Sequence, residues 1–227
     1  MRKIIIAIDG HSATGKSSTA KKVAKHLGYI YLDSGAMYRA ATLYFLKNHI
    51  SLTDGEAVDD ALCKIQIEFK KDAQGLPITY LNGVNVEEDI RTMNVSGKVS
   101  AVSALKPVRV AMVDQQRKLG EAKGIVMDGR DIGSVVFPEA ELKIFMTASS
   151  KIRAERRQKE LLEKGDKTSF EEVLKNVVER DEKDSTRKES PLLKVGEAIE
   201  IDNSNMAFDV QVQKIIRLAE NKITELV

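Results

Sequence analysis

Residues 10–17 read Gly-His-Ser-Ala-Thr-Gly-Lys-Ser and meet the pattern GxxxxGK[ST] at every fixed position. Glycines at both ends let the backbone curl, so that successive N–H groups converge on phosphate oxygens, and a following helix adds the positive end of its dipole. Lys16 then supplies a mobile positive charge to the β and γ phosphates, and Ser17 offers its hydroxyl to Mg²⁺. With Ser18 alongside, residues Gly10, His11, Ser12, Ala13, Thr14, Gly15, Lys16, Ser17 and Ser18 form a candidate triphosphate site.

A loop of this kind serves several chemistries. A guanine-specific hydrolase needs NKxD late in the chain; the nearest string, Asn221-Lys222-Ile223-Thr224, lacks the aspartate and lies in a helical pattern. Motors and transporters couple hydrolysis to further domains, for which 227 residues leave little room. Phosphoryl transfer to a small acceptor remains, and it requires a second anion site facing the first, because negative charge spreads over the transferring group. Candidates stand at strand ends, where open parallel sheets hold their ligands. Asp33-Ser34-Gly35-Ala36-Met37-Tyr38-Arg39 is one such string and Asp128-Gly129-Arg130-Asp131 another, with Asp128 placed to orient Mg²⁺ through water. Arg109 follows the insertion on a helix. Between Lys151 and Ser190, twelve basic residues nearly balance eleven acidic ones, as on solvated helix faces. Yet Arg153, Arg156 and Arg157 share one face, and Arg180, Asp184 and Arg187 share another. The second stripe reads either as a salt-bridge ladder or as part of the anion site.

The elements that must position these residues alternate. Ile4–Ile8 is a β-branched run without alternation, as for a strand covered on both faces, and helical spacing follows from Gly15 to Leu27 with Gly28 as a stop. A strand over 29–32 and a helix from Asp33-Ser34 to Lys47 make a second unit. Residues 51–92 break the rhythm, with short strands expected around Gly75 and around Asn82-Gly83, a hairpin signal, so this segment reads as a β-rich insertion. Helical spacing returns over 94–119, interrupted at Pro107; strands are expected at 125–127, 142–146 and 197–201, and helices from Ser149 or Ser150 to Leu162, from Ser169 to Asp184 and from Phe208 to Leu226. Strands alternating with helices mean a parallel α/β sheet.

Composition sets the outer limits. A net charge of +2 is too small for the counterion-release affinity of non-specific nucleic-acid binders. Cys63 is alone, and His11, His26 and His49 have no neighbours at zinc-ligand spacing. The apolar runs fall short of the roughly 20 residues of a membrane span, and no leader pattern precedes the first strand. These features lead us to expect a cytoplasmic protein with no nucleic-acid or membrane partner, and a monomer.

Taken together, the strings resemble the bacterial cytidylate kinases. The match runs from the phosphate loop through Asp33–Arg39, Ile90-Arg91-Thr92, Asp128–Gly133 with Val135-Val136-Phe137-Pro138, and Glu179-Arg180-Asp181 to Ser190-Pro191-Leu192. The resemblance implies a three-layer α/β phosphate-loop core with a parallel sheet, a β-containing monophosphate-binding insert and a short helical lid. One domain over 1–227 is implied, with its core at about 1–39, 101–150 and 168–227, the monophosphate region at about 40–100 and the lid at about 151–167. It further implies transfer of the γ-phosphoryl of ATP to CMP or dCMP with Mg²⁺; a non-catalytic nucleotide-binding regulator or a broader UMP/CMP kinase are the alternatives. By the same resemblance Arg39, Arg130 and Arg187 contact the acceptor phosphate, Ser100, Arg109 and Asp131 the cytosine edge, Arg180 and Asp184 the pentose, and Ser34 lies in the same site. Lys16, Arg130 and Arg187, with Arg153 and Arg157 from the lid, are the catalytic candidates. His11 stands where this family usually has proline and Thr14 where it often has a small residue, so the loop is expected to differ slightly in shape.

Overall fold

The computed structural model describes residues 2–71, 77–163 and 165–225. β1 (Ile5–Gly10) is buried along its whole length, as its aliphatic run demands. α1 (Lys16–Leu27) starts from Gly15 and stops at Gly28, both left-handed, with the Gly28 N–H turned back on the last carbonyls of the helix. β2 (Ile30–Asp33) leads directly into α2 (Ser34–Lys47), whose N-cap Asp33 accepts the Ala36 N–H at 2.8 Å. Next come α3 (Gly55–Cys63), β3 (Ile67–Lys71), β4 (Pro77–Leu81), β5 (Val84–Asn85) and a 3₁₀ turn over Asp89–Arg91. α4 (Met93–Ser103) and α5 (Lys106–Gly120) are separate helices, with Pro107 in the first turn of the second, where its missing N–H costs nothing. β6 (Ile125–Gly129) ends in a π-helical turn over Ile132–Val136, followed by β7 (Leu142–Thr147), α6 (Ser150–Glu163), α7 (Phe170–Thr186), β8 (Ile199–Asp202) and α8 (Phe208–Glu225).

The expected β-rich insertion needs correction at its start. Asp54 caps α3 by accepting the Ala57 N–H at 3.1 Å, and Val58 and Ala61 are buried at helical spacing. The strands begin only at Ile67 and form an antiparallel sheet ordered β3-β4-β5. Its β4–β5 turn is Asn82-Gly83, with φ of 51° and 79°, the paired positive values of a type I′ hairpin. The short strands expected around Gly75 are β3 and β4, which stand on either side of it; Gly75 itself lies outside the described residues.

Contacts divide the chain into two units, Met1–Tyr31 with Lys123–Val227, and Leu32–Ala122. The first carries the five-stranded sheet, ordered β2-β6-β1-β7-β8, with β6, β1, β7 and β8 paired in parallel. α1 and α8 cover one face through Ala20, Val23, Val212, Ile215, Ile216 and Ala219, packed on Ile4, Ile6, Ile8, Val126 and Ile144. α6 and α7 pack on each other through Ala154, Val173 and Val177, and Ser169 and Glu172 close a reciprocal capping box at the start of α7. The second unit has its own core, built on Met37, Ala40, Phe45, Val58, Ile67, Ile90, Val102 and Met112.

Candidate active site

Because β1 and β6 run parallel in register, Asp9 beside Gly129, their carboxyl ends lie at one edge of the sheet, and the phosphate loop and the Asp128–Asp131 string begin there. Gly10 has φ 148°, and a Cβ on it would stand 2.1 Å from the Met146 carbonyl oxygen, so only glycine fits. Beyond the bend, Lys16 folds back along the loop, donating from Nζ to the His11 carbonyl and, at 3.2 Å, to Thr14 Oγ1. Its ammonium is almost fully buried. Burial, and then the nearby charge of Arg130, lower its pKa to about 7.

Asp128 closes the loop's other side. Its Oδ2 accepts from Ser17 Oγ at 2.9 Å and its Oδ1 from Tyr31 Oη at 2.7 Å. The two hard oxygens of Ser17 and Asp128, beside a loop shaped for phosphates, fit Mg²⁺, which prefers one or two protein oxygens supplemented by phosphates and water. Among the described residues no cluster of three His, Cys, Asp or Glu offers a closed cage of its own.

Next to the loop lies a cleft of about 610 Å³, lined by Ala13, Thr14, Gly15 and Ser18 of the loop and by Arg156, Met206, Phe208 and Gln211 among others. Ala13, Met206 and Phe208 give it an apolar side and Arg156, Lys159, Glu160 and Glu163 a charged one, a mixed lining that can take the flat face of a base against its apolar side. The Arg156 guanidinium is fixed there on Asn203, donating to its Oδ1 at 3.0 Å and its carbonyl at 2.9 Å. Asn203 is wholly buried and donates in turn to the Thr14 carbonyl and to Gln211 Oε1, both at 2.7 Å.

Of the two readings of the stripe that ends α7, the ion-pair one is seen directly. Asp184 Oδ2 accepts from Arg130 Nε at 2.7 Å, so a ladder exists, but it links two strings that the sequence separates by 54 residues. Burial would raise the Asp184 pKa; Arg130, Arg187 and Arg180 together hold it below the ordinary carboxylate value. Arg187 donates from Nε to the Ser190 carbonyl at 2.7 Å, and its Nη2 lies 3.9 Å from Asp131 Oδ1. Asp184 thus bonds Arg130 and feels the charges of Arg187 and Arg180 as well.

The three arginines of α6 part company. Arg153 is 4% exposed and donates to the Ala148 carbonyl and, fork to fork, to both oxygens of Asp181. Arg156 is held by Asn203, whereas Arg157, more exposed, meets Glu160 of its own helix at 3.1 Å. His11 Nδ1 lies 3.2 Å from Asp181 Oδ1, so the residue that replaces the usual proline ties the phosphate loop to α7. Burial raises the Asp181 pKa, but His11 and Arg153 outweigh it and bring it to about 2. Asp181→Asn is expected to lower stability at neutral pH by about 2–3 kcal/mol, less than the roughly 3–5 kcal/mol of a fully buried pair because Asp181 still meets solvent. A depressed carboxyl stabilises above its unfolded pKa of 3.8 and loses that contribution as pH falls toward 2, so the gap between variant and parent should narrow on acidification. Thermal denaturation of both proteins from pH 7 down to about pH 3 checks this.

In the second unit, the Asp33 carboxylate that caps α2 also accepts from Arg39 at 3.2 Å and from Arg91 at 3.4 Å through Oδ2. Ser34 is buried beside it. Arg109 is 4% exposed, donates to the Ser103 carbonyl at 3.2 Å and stacks over the Tyr38 ring at 5.4 Å; Ser100 lies near the end of α4 and is exposed. Sequence reasoning passed over Arg91, Tyr31, Asp181 and Asn203 as site residues. Arg91 and Asp181 stand inside strings that carry the family resemblance; Tyr31 and Asn203 have no local signal.

The profile of the cytidylate kinase family matches residues 6–221. A cytidylate kinase of Bacteroides fragilis is 57% identical over 215 residues, covering 93% of this chain and 94% of the relative. One of Cytophaga hutchinsonii is 51% identical over 227 residues, 100% of this chain and 97% of the relative. Among solved structures, a shikimate kinase of Bacteroides thetaiotaomicron aligns with a TM-score of 0.53 at 12% identity, covering 96% of this chain and 99% of the other, which speaks for the fold alone.

Proposed function

The chain belongs to the cytidylate kinases, and from that premise we propose that it transfers the γ-phosphoryl group of ATP to CMP and dCMP, with a division of labour readable in its own residues. The carrying observation is geometric: Asp128 accepts from Ser17 of the phosphate loop at 2.9 Å, and Arg130, two residues on, is held by Asp184 at 2.7 Å, so one strand end joins the triphosphate loop to the arginine string. Phosphoryl transfer between two anions needs positive charge set around both, and the loop with Lys16 and the string with Arg130 supply it.

The phosphate loop and Lys16 bind the triphosphate, and the cleft beside Arg156 and Phe208 takes its base. Ser17, and Asp128 through water, would hold Mg²⁺ with ATP, and the ion would supply neutralisation of the charge on the phosphates. An oxygen of the CMP phosphate attacks the γ-phosphorus in line while the bond to the β,γ-bridging oxygen breaks; the attacking oxygen is already anionic, so no general base is needed. Arg130 and Arg187 receive the acceptor phosphate. Asp131 reads the cytosine edge, because a carboxylate accepts from the exocyclic amine that uracil lacks. Arg180 and Asp184 address the pentose. Within the lid, we assign Arg157 to the transferring phosphate and Arg153 to anchoring. The described residues include no helix long and apolar enough to cross a membrane. The lone cysteine suits a reducing compartment, and we read the enzyme as cytoplasmic and monomeric.

An assay of ADP release with ATP·Mg²⁺ and CMP, dCMP, UMP, AMP, GMP or shikimate tests the proposal. Turnover confined mainly to CMP and dCMP is expected. ATP binding with silence across the panel would leave a regulator instead, and equal rates with UMP a broader pyrimidine kinase. Asp131→Ala should lower the CMP over UMP preference in kcat/KM by about tenfold to a hundredfold, the worth of one good edge contact. An unchanged ratio would remove Asp131 from base reading.

A further inference from the structure

Among the described residues four carboxylates are almost fully buried, Asp9, Asp33, Asp128 and Asp131, and the reaction above leaves Asp9 without a task. Asp9 ends the hydrophobic part of β1, one residue before the phosphate loop, and is 6% exposed. Both of its oxygens are taken up by backbone. Oδ1 accepts the N–H of Ile132 at 2.8 Å and Oδ2 that of Gly133 at 2.7 Å. Those are the residues immediately after Arg130 and Asp131. They open the π-helical turn, whose first N–H groups have no partner within the turn itself. Ile132 is wholly buried, so water is no substitute acceptor.

On the other side of Arg130 and Asp131, Gly129 pairs in register with Asp9 in the β1–β6 ladder. The dipeptide proposed to hold the acceptor is therefore gripped at both ends by one residue, through its backbone before Arg130 and through its carboxylate after Asp131. The fit is close. A Cβ on Gly133 would come within 3.4 Å of Asp9 Oδ2 and of the Lys143 side chain. Holding an ionised carboxylate here is unfavourable: burial first, and the neighbouring Asp131 charge, raise the Asp9 pKa to about 6 even against its two backbone hydrogen bonds.

We propose that Asp9 is a positioning residue for acceptor recognition: by fixing the peptide groups of Ile132 and Gly133 it sets the aim of Arg130 and Asp131. The inference rests on the assignment of those two side chains to the acceptor. Asp9→Asn in the full chain tests it, because the amide keeps the shape but turns one acceptor into a donor facing an N–H. We expect KM for CMP to rise by about tenfold or more, the CMP over UMP preference to fall by a similar factor, and KM for ATP to stay within about twofold. Amide hydrogen exchange should quicken at 132–136 and not along β1 or β6.

A merely structural role would lower the active fraction and leave both KM values and the base preference in place; that outcome overturns the proposal, as does an equal rise in KM for ATP. Asp131→Ala measured in parallel separates the two assignments. If it leaves the base preference untouched while Asp9→Asn still raises KM for CMP and quickens exchange at 132–136, base reading is lost and positioning through Arg130 stands. Should Asp9→Asn not fold, Gly133→Ala presses on the same contact from the other side; the same pattern at smaller size is expected, and unchanged KM and preference in that variant overturn the proposal.

Discussion

Lys16→Met is expected to lower kcat about a thousandfold while the chain remains folded, because the methionine fills the same buried channel without the charge. Removing one preorganised donor to a transition-state oxyanion costs about a hundredfold to a thousandfold, and a full cation at the transferring phosphoryl group stands at or above the upper end. The geometry supports that rank. Lys16 is held by the His11 carbonyl and Thr14 Oγ1, so its Nζ is kept at the loop before substrate arrives. Lys16 also gives a pH signature. Its pKa of about 7 in the free protein means that a sizeable fraction is neutral at pH 7.5, and the incoming phosphates restore the proton. MgATP binding should therefore take up protons, and kcat/KM for ATP should fall as pH rises past about 7. Calorimetry in buffers of different ionisation enthalpy and a pH profile read these directly. In Lys16→Arg, whose charge persists at all working pH values, the alkaline fall should vanish even though activity drops; a fall that survives would place the titrating group elsewhere.

What the sequence discloses about the site follows from how local each signal is. The phosphate loop depends on spacing within eight residues, so Gly10, Lys16 and Ser17 are legible from the chain alone. Strand ends are legible because a buried β-branched run that meets Asp-Gly has few other readings, and Asp128 stands at the end of β6 with Arg130 just beyond it. The partners that fix these groups are not. Tyr31 donates to Asp128 across 97 residues, Asp9 accepts from Ile132 across 123, and Arg156 donates to Asn203 across 47. Only the folded sheet sets such distances. The same limit explains α3. Its nine residues lie between turn-forming Thr53-Asp54 and a hairpin dipeptide, and a helix so short has too few turns for its spacing to outweigh the strand signals around it. The spacing of Arg153, Arg156 and Arg157 implies one helix, and all three stand on α6, but spacing alone says nothing about which guanidinium is already engaged.

Arg130 carries the other large effect. Arg130→Ala should reduce kcat/KM for CMP by about a thousandfold, since a half-buried guanidinium fork on a phosphate dianion combines charge with two directed hydrogen bonds and is lost whole. Asp184 holds Arg130 through Nε alone, at 2.7 Å, and Nη1 reaches the Gly129 carbonyl only at 3.4 Å, a long contact that a phosphate oxygen can readily displace. Arg130→Lys keeps the charge but not the fork, so it should recover only part of the loss. The two variants separate charge from geometry through Lys16. Arg130 is, after burial, the largest influence lowering the Lys16 pKa. Without that charge, Lys16 should stay protonated to higher pH, and the alkaline fall in kcat/KM for ATP should move upward from about 7 in Arg130→Ala. In Arg130→Lys it should remain near its parental position. An alanine variant that loses CMP turnover while its ATP profile stays in place would mean that Arg130 serves the acceptor without acting on Lys16.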